Sequence, residues 1–253
     1  MVIRLSARSV FVFLMACIGA LLCLDAGLLV IKFALGHQST YGLTYLFDLN
    51  LEQNIPTLFS TLDLAFASLL LWMCSRQSTN ESHPDSRYWL GLSCIFAFLA
   101  VDEFCSIHER LNKPVEHLLH TTSHALLYAW VVPYAALVML FAAVYVRFWW
   151  RLPARERRLF AIAGAIYVVG ALGLELIGSE LDVIYGMGAS AAEGIEIIVE
   201  EGMEMSGIAL FVYALLCTLR DRGALIRFTP DVSEMRNAEL LADVQRELQK
   251  DVA

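Results

Sequence analysis

The sequence predicts an all-α polytopic membrane protein: a six-transmembrane-helix bundle with both termini in the cytoplasm. Three observations carry this reading. Of 253 residues, 58% are hydrophobic and 17% charged, where a soluble domain is about one quarter charged. Several apolar runs reach the roughly 20 helical residues that cross a hydrocarbon core. Lys and Arg gather in alternate connections between those runs, as the positive-inside rule requires. A membrane barrel would show alternating segments of about ten residues instead.

The expected spans are 9–35, 53–74, 88–108, 120–146, 159–179 and 197–219. Arg4 and Arg8 precede the first span, as in a signal peptide. The apolar run from Ser9 to Leu35 is too long for a signal, however, and no A-x-A site follows, so the helix is retained. Asp25 lies within it. The second span is entered through F-D-L-N-L-E-Q-N-I-P-T, with Asp48, Glu52 and Asn54, and carries Asp63 near mid-membrane. The third closes on V-D-E-F-C-S-I-H-E-R. Helical spacing puts Asp102, Ser106 and Glu109 on one face, with Glu103 about a quarter turn away. His108 points elsewhere on a continuous helix and turns inward if the helix stops first.

The fourth span opens with His117, His120 and His124, spaced three and four apart, with Thr121 and Tyr128 on the same face. The fifth contributes Glu175 and Glu180 near one end, followed by Asp182. The sixth carries Glu193, Glu196, Glu200 and Glu204 as one stripe, with Glu201 beside it and Gly207 continuing the face. After Leu219 the character changes. Residues 1–219 form the membrane domain, and 220–253 a cytoplasmic tail in which Leu240, Leu241, Val244 and Leu248 mark a short amphipathic helix. The Phe, Leu and Trp stripes read as lipid-facing or packing residues.

With the N-terminus in the cytoplasm, all but Lys32, Arg110 and Lys113 of the 18 basic residues fall on the cytoplasmic side. All but ten of the 26 acids, and every histidine except His83, fall in the spans or on the outer side. The net charge of −8 is therefore an average over two unlike ends. None of the six cysteines forms a C-x-x-C pair, and they read as small packing side chains. Among the cysteines, Cys105 beside the acidic cluster is the one placed to act as a thiolate ligand. No Gly-rich phosphate loop and no basic nucleic-acid patch is present.

Ionisable groups at membrane depth are costly and by default mark function. Two histidines at i and i+4 hold one ion without bending a helix. Mixed imidazole and carboxylate donors suit Zn, Fe or Mn. The candidate metal ligands are Asp102, His108, Glu109, His117, His120, His124, Glu200 and Glu204. Glu103 and Glu201 are the candidate catalytic bases, and Asp63 and Glu175 the candidate proton path. Four like charges on one helix face repel, so protons, a cation or the histidines must offset the glutamate stripe. Plainer readings stand beside these. The histidines fit an interface, and the glutamates a wet helix start. Asp102 and Glu103 have Arg110 and Lys113 as possible partners, and Asp63 and Glu175 suit hydrogen bonds between helices.

F-D-L-x-x-E-x-N-I-P-T, D-E-x-x-x-x-H-E and E-E-x-x-E together resemble a group of uncharacterised bacterial multi-pass membrane proteins, over most of residues 45–210. That resemblance implies the bacterial cytoplasmic (inner) membrane and supplies no chemistry. A weaker similarity is to the alkaline ceramidase and progestin-receptor-like hydrolases. It implies Zn on His120, His124 and a third histidine, with Asp102 and Ser106. Those proteins have seven helices and a histidine pair on the last one, where this chain has glutamates. The expectation is a metal-dependent enzyme, hydrolase or oxidase, with a divalent ion (Zn, Fe or Mn), membrane lipids around it and a lipid or small apolar substrate. The alternative is a proton- or cation-coupled transporter or channel.

Overall fold

The computed structural model describes residues 6–36, 40, 42–80, 85–119, 129–186 and 190–222. Six helices are long and apolar enough to cross a membrane. They are α1 (Ala7–Ala34), α3 (Ile55–Asn80), α4 (Ser86–Cys105), α7 (Val131–Arg151), α10 (Ala191–Asp221) and a composite fifth span. The composite runs through α8 (Ala154–Val168), a π-helical turn (Val169–Leu174) and α9 (Glu175–Tyr185). The short helices α2 (Leu43–Phe47), α5 (Ile107–Arg110) and α6 (Asn112–Leu119) lie in the connections. No strand occurs among the described residues.

The long helices match the expected spans in number, with two shifts. The third span ends at Cys105 rather than near 108. The fourth runs from Val131 to Arg151, well past the expected start at 120, because Pro133 fits the first turn of a helix better than its interior. Residues 120–128, with His120 and His124, lie outside the described residues, as does the tail after Arg222.

α10 is the hub, packing against α8, α1 and α3. Its start follows from sequence: Ser190 accepts a 3.1 Å hydrogen bond from the Glu193 amide, and S-A-A-E is a capping box pattern. Its second half supplies much of the core, with Met205, Val212, Leu215 and Leu219 almost fully buried. They meet Ile18 of α1 and Leu64, Leu70 and Leu71 of α3 in one apolar cluster. Gly207 allows the close approach of α8. A Cβ there would sit 2.9 Å from the Tyr167 nitrogen and 3.0 Å from the Ala163 carbonyl, and backbone atoms cannot yield. The outward faces are apolar instead of polar, with Leu62, Val101, Leu140 and Ile184 all exposed. That inversion is what lipid as solvent demands.

The helices alternate in direction, so the chain has two chemically distinct ends. One collects the start of α3, the end of α4, the start of α7, the end of α9 and the start of α10. It holds most of the acidic residues singled out above, while Asp63 lies deeper along α3. The other end holds Asp85, Arg151, Arg155, Glu156, Asp221 and Arg222, joined in ion pairs.

Candidate metal centre

The site is built by a helix that stops early. α4 ends at Cys105, and Ser106 adopts a left-handed conformation (φ 50°) with its amide bonded to the Asp102 carbonyl. α5 restarts at once in a new direction. Asp102, Ser106 and Glu109 therefore do not share one continuous helical face; the break turns His108 inward. Asp102, on the last turn of α4, is buried. Its Oδ1 accepts the His108 amide at 2.9 Å and faces the His108 ring nitrogen Nδ1 at 3.5 Å. Its Oδ2 accepts the Tyr134 hydroxyl at 2.9 Å. Trp130 lies beside the His108 ring, with centroids 4.8 Å apart, and its indole N–H donates to Glu175 at 3.1 Å. Asp102 thus fixes the imidazole through Nδ1 and the backbone amide, and Trp130 packs against its ring.

Opposite His108 stands Glu52, delivered by the segment before α3. Gln53 is left-handed (φ 62°), and Asn54 stitches the turn. Its side chain donates to the Asp48 carbonyl at 2.6 Å and accepts from the Thr57 amide and hydroxyl at 3.1 Å. Glu52, His108 and Glu109 each offer a ligand atom, and these atoms lie within 4.8 Å of one another. That is close to twice the roughly 2–2.2 Å bonds such donors make to an ion. The group has the donor types and spacing to hold a metal ion. The Ser106 hydroxyl, buried beside Glu52, has no partner in strict hydrogen-bond geometry. Gln53 and Ser106 are the two non-glycine residues with positive φ among those described, and both flank this group.

Electrostatics set its proton affinity. Burial pushes the Glu52 carboxyl above its ordinary range, and the Glu109 charge adds to this, while His108 opposes it. For His108, burial works against the charged ring, but the Asp102 hydrogen bond and charge outweigh it, with Glu103 and Glu52 adding to the same effect. The imidazole ends above its ordinary value.

Behind the group lies a wider acidic set. Glu103 is within electrostatic reach of Glu52, His108 and Asp102. The strongest electrostatic neighbours of Glu201 and Glu204 are other carboxylates, Glu103, Glu175 and Glu52 among them. Glu200 is buried and comes within hydrogen-bonding reach of Glu175. Tyr167 of α8 is within electrostatic reach of Glu204 and Glu103. Glycine makes room for this set: a Cβ on Gly178 would stand 2.9 Å from Glu196 Oε2. The π turn lies between Tyr167 and Glu175, and π-bulges often occur at functional sites.

The structure therefore joins Asp102, Glu103, His108, Glu109, Glu175, Glu200, Glu201 and Glu204 at one end of the bundle. His117 is exposed on α6. His120 and His124 fall outside the described residues. Asp63 stands apart, deep in α3 and buried, with neither carboxylate oxygen partnered among the described residues. Glu180 is exposed. Sequence reasoning noticed Glu52 but gave it no role, and it missed Tyr134, Trp130 and Tyr167. Trp130 is a hydrogen-bond donor to Glu175 rather than a packing residue alone. An E-x-N-I-P-T turn ahead of a span was the available signal for Glu52. The aromatic residues gave none.

These features define a helical multi-pass membrane protein with a carboxylate-rich interior at one end and, beside it, a His/Glu/Glu group of two half-buried residues and one exposed. The chain belongs to the family described as a domain of unknown function (DUF8692), which matches residues 13–218. No curated protein and no solved structure matches it.

Proposed function

We propose that this chain is a metal-dependent membrane enzyme, a hydrolase or an oxidase, whose divalent ion (Zn, Fe or Mn) binds Glu52, His108 and Glu109 and whose substrate is a lipid or another apolar molecule. The carrying observation is the convergence of those three ligand atoms within 4.8 Å. Asp102 supports it, because a ligating histidine usually gives its other ring nitrogen to a carboxylate. With Nδ1 on Asp102, Nε2 is left to coordinate. An ion in this place would polarise a substrate oxygen or activate water. Glu103, within electrostatic reach of Glu52 and His108, and Glu201 beyond it are the candidates to take or return the proton. Two left-handed residues beside the ligands fit the rule that strain gathers at functional sites.

The distribution of Lys and Arg puts the acidic end outside and both termini in the cytoplasm, consistent with a bacterial inner membrane. Metal analysis of protein purified in detergent tests the reading. The wild type is expected to carry about one ion, and Glu52→Gln with His108→Ala to lose it. A wild type that takes up no Zn, Fe or Mn ends it.

A second reading, a proton- or cation-coupled transporter, has its own support in Asp63. A buried mid-span carboxylate without a described partner is a natural station on an ion path. Proton or cation flux in liposomes that disappears in Asp63→Asn would favour it; flux equal to empty liposomes removes it.

A further inference from the structure

A cleft of about 440 Å³ opens between the start of α3 and the end of α4, with Gln53, Thr57, Leu58, Phe104, Cys105 and Arg110 in its wall. It adjoins the His/Glu/Glu group directly: Gln53 follows Glu52 in the chain, and Arg110 follows Glu109. Its position is where α3 begins and α4 ends, the depth at which apolar spans meet lipid headgroups. The lower wall is open to lipid. Leu58 and Phe104 are exposed, and Leu62 and Val101, one turn deeper on the same helices, are exposed too. The upper wall is polar but mostly self-satisfied, since Asn54 is occupied by Asp48 and Thr57. Arg110 is the exception. It is exposed and forms no ion pair among the described residues.

We propose that this cleft seats the phosphate headgroup of a bilayer phospholipid, held by Arg110, with its chains along the Leu58–Leu62 and Val101–Phe104 faces. The lipid is the substrate class of the neighbouring metal centre, and that half of the inference rests on the metal reading above. The guanidinium fork matches phosphate oxygens in a bidentate way that few other side chains can. Charge agrees. Of the residues that line the cleft, Arg110 alone is charged. A phosphodiester carries one negative charge. The cleft volume falls within the roughly 300–1,000 Å³ of small-molecule sites.

Cys105 is a reporter, half-buried in the cleft wall. Its alkylation rate, read by peptide mass spectrometry on full-length protein in mixed micelles, measures occupancy. Cys94, exposed on α4 and outside the cleft wall, is the internal control. Short-chain phosphatidylglycerol is expected to slow alkylation of Cys105 about 10-fold, the worth of one charge-assisted hydrogen bond, and diacylglycerol of the same chains is not. Arg110→Ala is expected to lose the protection and Arg110→Lys to keep part of it. Equal protection by diacylglycerol, or protection that survives Arg110→Ala, overturns the proposal. Metal content measured on the same samples separates the two claims. Arg110-dependent protection in metal-free protein keeps the cleft and removes the metal; a metal-bearing wild type without protection does the reverse.

Discussion

The two ends of the bundle use the same residue types in opposite ways. At the basic end, acids meet guanidinium groups. Asp85 pairs with Arg151, Glu156 with Arg222 at 3.4 Å and Asp221 with Arg155 at 3.5 Å. Arg222 also lies over the Trp89 ring at 4.9 Å, tying α4 to the end of α10. At the acidic end, carboxylates of α4, α9 and α10 face one another, and the ion pair described there joins Asp102 to His108. A carboxylate paired with arginine holds helices together. A carboxylate facing carboxylates weakens the fold unless a proton or a cation sits between them. The difference separates groups kept for architecture from groups kept for a ligand.

The sharpest way to break this comparison is at Asp102. Asp102→Asn keeps the size but removes the charge that orients His108 and turns one of the two acceptor oxygens into a donor. Metal affinity measured by titration calorimetry is expected to fall about 10- to 100-fold, the usual effect of such outer partners. Unchanged affinity would mean that Asp102 is a helix cap and nothing more. A paired measurement of melting temperature comes next. Glu156→Gln should cost roughly 1 to 2 kcal/mol, since it strips a partly buried arginine of its partner. Glu204→Gln in chelator-treated protein should cost nothing or stabilise. Equal losses at both ends would erase the distinction.

How much of this was legible in advance differs between α10 and α4. The glutamate stripe was readable because α10 runs unbroken from Ala191 to Asp221, so helical periodicity places Glu193, Glu196 and Glu200 on one buried face. The end of α4 was not. Extending the same periodicity to Glu109 assumed a helix that Ser106 interrupts, and a serine in the left-handed region leaves no mark in sequence as glycine would. The Glu52–His108 contact joins loops some 56 positions apart in the chain, which no local pattern encodes. The π turn at Val169–Leu174 likewise depends on packing against α10. Six spans could be counted from composition; the cofactor-sized details lay in how they stop.

The pH dependence of stability sharpens the same contrast. Both Glu52 and His108 hold protons more tightly in the fold than their ordinary values of 4.5 and 6.5. The stability that His108 contributes is fully present below about pH 6.5 and is lost as pH rises through its folded value. Glu52 acts in the same sense from about pH 4.5 upward, because the fold disfavours its ionised form. Chelator-treated protein should therefore melt at a lower temperature at pH 8 than at pH 6. Added divalent ion should flatten or reverse that slope, since it binds the deprotonated ligands. A slope insensitive to Glu52→Gln and His108→Ala would assign it elsewhere.

The smallest effect expected is at Gln53, whose left-handed backbone costs about 1 kcal/mol for a residue with a Cβ. Gln53→Gly removes that strain but enlarges the unfolded ensemble by a comparable amount. The net gain in stability should be a few tenths of a kcal/mol, within reach of denaturant titration in mixed micelles. The informative readout is metal affinity. If the turn holds Glu52 toward His108 only because the surrounding contacts force it, glycine loosens that hold and affinity falls while stability does not. If affinity is untouched, Asn54 alone fixes the turn through its bonds to Asp48 and Thr57, and the left-handed residue is a by-product of that stitching rather than part of the site.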